Sequence, residues 1–176
     1  MIVTLSGKPG SGKTTVGRRL AESLGGVFFS SGDVLGRMAQ EKGLVIQELD
    51  ASLEKDPVLD RAFDAKQASL ARSVPIAVVD GWVAYRALPE SFKVFLECSL
   101  DVAARRVFEH QRPDEPVARS AEEVREALLA RLYANRRRFR LVYGTDILDP
   151  GNYDLVLDTS DVSVEEICSR ILARVR

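Results

Sequence analysis

The sequence predicts an α/β fold, a mainly parallel sheet with helices on both faces. Short apolar runs alternate with stretches of helical period along the chain, the order that builds such layers. A glycine-rich segment, GKPGSGKTT at 7–15, stands between the first apolar run and the first helical stretch. A third run, Ile76-Ala77-Val78-Val79, is apolar without alternation and ends in Asp80-Gly81, as a strand buried on both faces does.

Taken in order, residues 1–6 form the first strand, and a helix then runs through Leu24, with Val16, Leu20 and Leu24 spaced by four and Gly25-Gly26 as its stop. Residues 27–30 make the second strand. Asp33 opens a helical stretch to about Lys42, and 44–72 reads as helical throughout, with Pro57 at a helix start after Asp56. The third strand delivers Asp80 to the carboxyl edge of the sheet, and the fourth covers about 92–97. A helix from about Asp101 to His110 leads into 111–119, where two prolines and mixed charge break the pattern and predict a mobile loop. Ser120-Ala121-Glu122-Glu123 has the form of a capping box and opens a long helix to about Tyr143, before Gly144. Residues 155–157 are the last strand. Ser163 to Glu166 caps a final helix with the apolar stripe Val164, Ile167, Cys168, Ile171, Leu172 and Val175.

At 176 residues the chain fits one domain with a sizeable core, and neither a repeat nor a linker divides it. A net charge of -1 excludes a global basic field for nucleic acid or an anionic membrane surface, whereas a small anionic ligand needs only local charge. Cys98 and Cys168 form no C-x-x-C pair, which points to reduced thiols packed as small apolar groups. No apolar run nears the roughly 18 residues of a membrane span, and Met1 leads into a strand with no basic leader, so a cytoplasmic location is expected.

Gly7, Gly12, Lys13 and Thr14 satisfy G-x-x-x-x-G-K-[ST], the loop that wraps backbone amides around nucleotide phosphates, and they sit in the strand-loop-helix context it requires. Gly7, Lys8, Pro9, Gly10, Ser11, Gly12, Lys13, Thr14 and Thr15 are therefore expected to hold ATP or GTP. Gly10 and Gly12 allow the tight turn, the helix N-terminus aims its positive end at the phosphates, and Lys13 supplies a mobile point charge. Thr14 offers a hydroxyl to Mg2+, a hard cation that prefers oxygen.

Asp80 has two readings, a second Mg2+ ligand at a strand end or a cap of the turn at Gly81. Trp82 and Tyr85 either stack on a base or pack in the core, and Asp33 either positions an acceptor or a metal-bound water or caps its helix. Phosphoryl transfer spreads charge over oxygens, so guanidinium groups should gather around the pliable loop. Arg105, Arg106, Arg112 and Arg119 precede or lie in it, and Arg131 and Arg138 follow seven apart on one helical stripe. No acid-base role falls to His110, the single histidine.

With these residues in place, the chain resembles the nucleoside monophosphate kinases, and most of all the short, archaeal-type cytidylate kinases. The resemblance runs through GKPGSGKTTVGRRLAESLG, FSSGDVLGRMAQEKGL, the Asp56-Pro57-Val58-Leu59-Asp60 segment, RRFRLVYGTDILD and NYDLVLDTSDVSVEEI. It implies a three-layer P-loop fold with a five-stranded parallel sheet. The core would comprise 1–30, 73–109 and 121–176, with an acceptor-binding helical insertion at about 31–72 and a short lid at about 110–120. It also implies transfer of the ATP γ-phosphoryl group to CMP or dCMP, with Lys13, Arg106, Arg131 and Arg138 as catalytic groups, Thr14 and Asp80 on Mg2+, and Asp33, Arg37, Asp80 and Trp82 at the acceptor. A small nucleotide substrate is expected, with neither nucleic acid nor membrane as partner. Three positions depart from the family pattern: Gly36 stands where an arginine is usual, with Arg37 one residue later, Trp82 follows Asp80-Gly81, and Asn135 replaces an acid between Arg131 and Arg138. The acceptor side thus leaves room for a kinase of a small hydroxylated metabolite, similar to shikimate or gluconate kinases, or for a noncatalytic nucleotide-binding module.

Overall fold

The computed structural model describes residues 1–53, 55–110 and 118–175. Its elements are β1 (Ile2–Gly7), α1 (Lys13–Leu24), β2 (Val27–Ser30), α2 (Ser31–Lys42), α3 (Ile46–Leu53), α4 (Pro57–Arg72), β3 (Ala77–Asp80), α5 (Ala84–Ala87), β4 (Phe92–Glu97), α6 (Leu100–Glu109), α7 (Ala121–Tyr143), β5 (Leu155–Asp158) and α8 (Val164–Val175). The five strands are parallel, as the alternation of elements predicts, and are ordered β2-β3-β1-β4-β5.

β1 therefore lies at the centre, and its register sets the site. Leu5 stands opposite Asp80 of β3, and Gly7 opposite Leu96 of β4. The loop after β1 and the carboxylate ending β3 consequently emerge side by side at the carboxyl edge, where ligands of open α/β sheets bind.

Successive strand residues face opposite layers. Val3, Leu5, Val78, Val94 and Leu96 meet Val16 and Leu20 of α1 and Ile167 and Ile171 of α8 on one face. Ala77 and Val79 meet Ala68 and Ala71 of α4 and Leu88 on the other. Each fully buried leucine such as Leu5 or Leu20 contributes about 2 kcal/mol. Gly17 is needed where α1 crosses β2, because a Cβ there would fall 2.3 Å from the Phe28 ring.

The structure corrects several expectations at the element level. α2 begins at Ser31 and is capped by Ser30, whose Oγ accepts from the Asp33 amide at 3.4 Å. Asp33 is thus a first-turn acid, favourable to the helix dipole, and not the cap. Within 44–72 the helix start expected at Pro57 is present: Asp56 Oδ1 accepts from Val58 N at 2.8 Å and Leu59 N at 3.3 Å and caps α4. α5 and a 3-10 turn at Pro150–Asn152 were not anticipated, being too short to carry a period. Most of the lid expected at about 110–120, Arg112 included, lies outside the described residues. Among those described, no helix is long and apolar enough to cross a membrane.

Candidate active site

The loop after β1 is shaped by three backbone facts. Lys8 N donates to Leu96 O at 3.1 Å, which pins its start to β4, and Ser11 N donates to Lys8 O at 3.2 Å, which closes the turn. Gly10 and Gly12 take φ of +75° and +84°, a region that side chains strain to adopt. A Cβ on Gly10 would also fall 2.7 Å from the Ala103 Cβ. α1 then starts at Lys13 with no side-chain cap and no acid in its first turn, which leaves its positive end to an anion. Ser11 Oγ is buried with no hydrogen-bond partner among the described residues, an orphan that a bound group at the loop would satisfy.

Lys13 Nζ donates to the carbonyls of Gly7 and Lys8, each at 3.0 Å, and lies 5.4 Å from the centroid of the Trp82 ring. Thr14 Oγ1 donates to Asp80 Oδ2 at 3.3 Å. Asp80 is held from behind: its carbonyl accepts from Gln67 Nε2 of α4 at 3.0 Å, and the next carbonyl, that of Gly81, accepts from Ser6 Oγ at 2.9 Å. A hydroxyl and a carboxylate converging at a phosphate loop are the hard oxygen donors that Mg2+ accepts while keeping waters and phosphate oxygens as its other ligands. The loop, Lys13, Thr14, Asp80 and Trp82 are thus one cluster.

The arginines divide. Arg138 of α7 reaches α4, donating from Nη2 to Asp60 Oδ1 at 2.6 Å and from Nε to Oδ2 at 3.3 Å, a bidentate pair in which both side chains are largely buried. Arg106 of α6 turns the other way, donating from Nη2 to the carbonyls of Thr159 at 2.7 Å and Ser160 at 3.1 Å. Arg131 is exposed two turns before Arg138, and Asp33 and Arg37 are exposed on α2. The stripe that joins Arg131 to Arg138 in sequence does not bring both into one pair of contacts.

Asp60 was noted only within the Asp56-Pro57-Val58-Leu59-Asp60 segment and given no role, and Asp64, Gln67, Tyr143 and Thr159 were not singled out from the sequence. Tyr143 donates to Asp64 Oδ2 at 2.5 Å, one helical turn along α4 from the Asp60 pair. Burial pushes the Asp64 carboxyl up to about 6, and the Asp60 charge adds to it, while the Tyr143 hydroxyl, Arg138 and Arg86 pull it down. The signal that could have found the three on α4 is acids and an amide at 60, 64 and 67, spaced as one helical face that also carries Ala68 and Ala71. An apolar face that carries acids needs partners from elsewhere.

The model of the cytidylate kinase-like family matches residues 2–161. The chain is 36% identical to a cytidylate kinase of Methanocella arvoryzae, over 97% of this chain and 94% of that protein. It is also 36% identical to a cytidylate kinase of Methanothrix thermoacetophila, over 100% of this chain and 98% of that protein. Among solved structures, a shikimate kinase of Bacteroides thetaiotaomicron superposes with a TM-score of 0.69 at 16% identity, covering 99% of this chain and 97% of that one, a likeness of fold alone. The phosphate loop, the carboxylate beside it and a family match over most of the length agree: the chain belongs to the cytidylate kinase-like family and is an enzyme, a nucleoside monophosphate kinase.

Proposed function

We propose that this enzyme transfers the γ-phosphoryl group of ATP to CMP or dCMP. The observation that carries the reading is the Thr14–Asp80 contact beside Lys13, a hydroxyl and a carboxylate next to an ammonium at one loop. The loop amides and the start of α1 hold the donor phosphates. Lys13 leaves its two loop carbonyls for the outer phosphates, where a cation stabilises the transferring group. Thr14 and Asp80 would hold Mg2+, whose charge would offset that of the donor phosphates.

On the acceptor side, α2 to α4 form the acceptor-binding insertion, which supplies Asp33 and Arg37 as acceptor contacts, with Asp80 and Trp82 contributed from the end of β3. Arg131 stabilises charge on the phosphoryl group in flight, and Arg138 joins it on exchanging the Asp60 carboxylate for the phosphoryl oxygens. The cytosine preference rests on the two relatives named above and on the match to their family.

The experiment is purified protein with ATP and Mg2+ against CMP, dCMP, UMP, AMP, GMP, shikimate and gluconate, with products read by mass. CMP and dCMP are expected to be phosphorylated fastest. Transfer to shikimate or gluconate and to no monophosphate would sink the reading, and a preference for AMP or UMP would move the base.

A further inference from the structure

Thr159 lies just after β5, across the sheet from the acceptor helices, and is 1% exposed. Its amide donates to the Glu97 carbonyl at 3.0 Å. Its hydroxyl lies 2.9 Å from that same carbonyl and 3.1 Å from the carbonyl of Ser11, inside the phosphate loop. A hydroxyl carries one proton. The Glu97 carbonyl is already served by the Thr159 amide, so the proton is best used on Ser11. The Ser11 carbonyl and the Gly12 N–H belong to one planar trans peptide and point in opposite directions. Holding the carbonyl on Thr159 therefore turns the Gly12 N–H away from β5, and Gly12, with φ of +84°, is the residue whose freedom permits it.

Thr159 is itself fixed. Arg106 Nη2 donates to its carbonyl at 2.7 Å, and Arg106 Nη1 to its Oγ1 at 3.3 Å. The next residue, Ser160, donates through N and Oγ to Asp158 Oδ1 at 2.8 and 2.6 Å, and its Oγ accepts from Ser99 N at 2.9 Å.

We infer that Thr159 is a positioning residue for the ATP donor, which sets the Gly12 amide toward the phosphates through the Ser11 carbonyl, and that Arg106 acts through it. Arg106 then serves the donor from behind the loop, with its guanidinium on protein carbonyls and not on the transferring phosphoryl group. The inference rests on the loop binding ATP, as proposed above.

The test is binding of a fluorescent ATP analogue with no acceptor present, together with KM values for ATP and CMP. Thr159→Val, which keeps the shape and removes the hydroxyl, is expected to weaken ATP about tenfold, the worth of roughly one hydrogen bond. It should leave KM for CMP unchanged, and Thr159→Ser should restore ATP affinity. Amide exchange at Gly12 should quicken in Thr159→Val while β1 stays protected. Arg106→Gln is expected to shift ATP affinity in the same direction, and it carries the test if Thr159→Val does not fold. ATP bound as tightly by these variants as by wild type would overturn the inference, as would equal losses for ATP and CMP. Because binding is read without an acceptor, failure of the CMP reading leaves this result intact, whereas wild-type protein that does not bind ATP overturns both.

Discussion

Lys13 reaches carbonyls five and six residues away inside its own loop, whereas Arg138 reaches a carboxylate 78 residues back and Tyr143 one 79 residues back. The donor side is a local object. Its shape follows from left-handed glycines, an uncapped helix start and one strand register. The junction of α4 and α7, proposed above as part of the acceptor side, is assembled through side chains, Arg138 on Asp60 and Tyr143 on Asp64. A local site tolerates drift elsewhere in the chain, while an assembled one fails when either partner is lost.

Four changes would break or sharpen that contrast. Asp60→Ala leaves the Arg138 guanidinium largely buried without its carboxylate, so unfolding free energy should fall by about 3–5 kcal/mol in urea titration. A loss near zero would mean that α7 and α4 are not held by this pair. Lys13→Ala should lower turnover by on the order of 100-fold or more, about 2.7 kcal/mol, because it removes charge from the transferring group. Its melting temperature should barely move, and unchanged turnover would show the loop to be misread.

Asp64 offers a pH readout of the acceptor side. Its carboxyl is raised by burial to about 6, above its value in the unfolded chain. The folded state therefore binds this proton more tightly, and the stability this contributes is complete below about pH 4 and lost as pH rises through about 6. Asp64→Asn keeps an acceptor for Tyr143 and should flatten that fall, removing about 2–3 kcal/mol of pH dependence between pH 4 and 7. Parallel curves for variant and wild type would remove Asp64 as its source. The smallest effect is expected on the donor side: Gly10→Ala should cost about 1–2 kcal/mol from its positive φ. Crowding against Ala103 adds to this, so Ala103→Gly in the same chain should recover only part of the loss.

GKPGSGKTT was legible because its chemistry is contiguous, and β2, β4, α1 and α7 were legible because period and caps are local signals. Asp80 was legible as a strand-end carboxylate, but its choice between metal ligand and turn cap was not. The contact with Thr14, 66 residues away, is what favours the metal. The partners of Arg106 were not legible. It was selected by a family pattern as a catalytic arginine, yet its guanidinium engages the carbonyls of Thr159 and Ser160, 53 and 54 residues on. Asp33 was expected to cap its helix in one reading, and Ser30 does so instead.

The sequence by itself determined the fold class, the phosphate loop and the family, because these depend on hydrophobic period, glycine conformation and a motif read over a few residues. Only the tertiary structure decided which partners Arg106, Arg138, Asp60 and Asp64 meet. A guanidinium takes its role from the carbonyl, carboxylate or phosphate that it meets, and for Arg106 and Arg138 strand order and helix packing choose that partner.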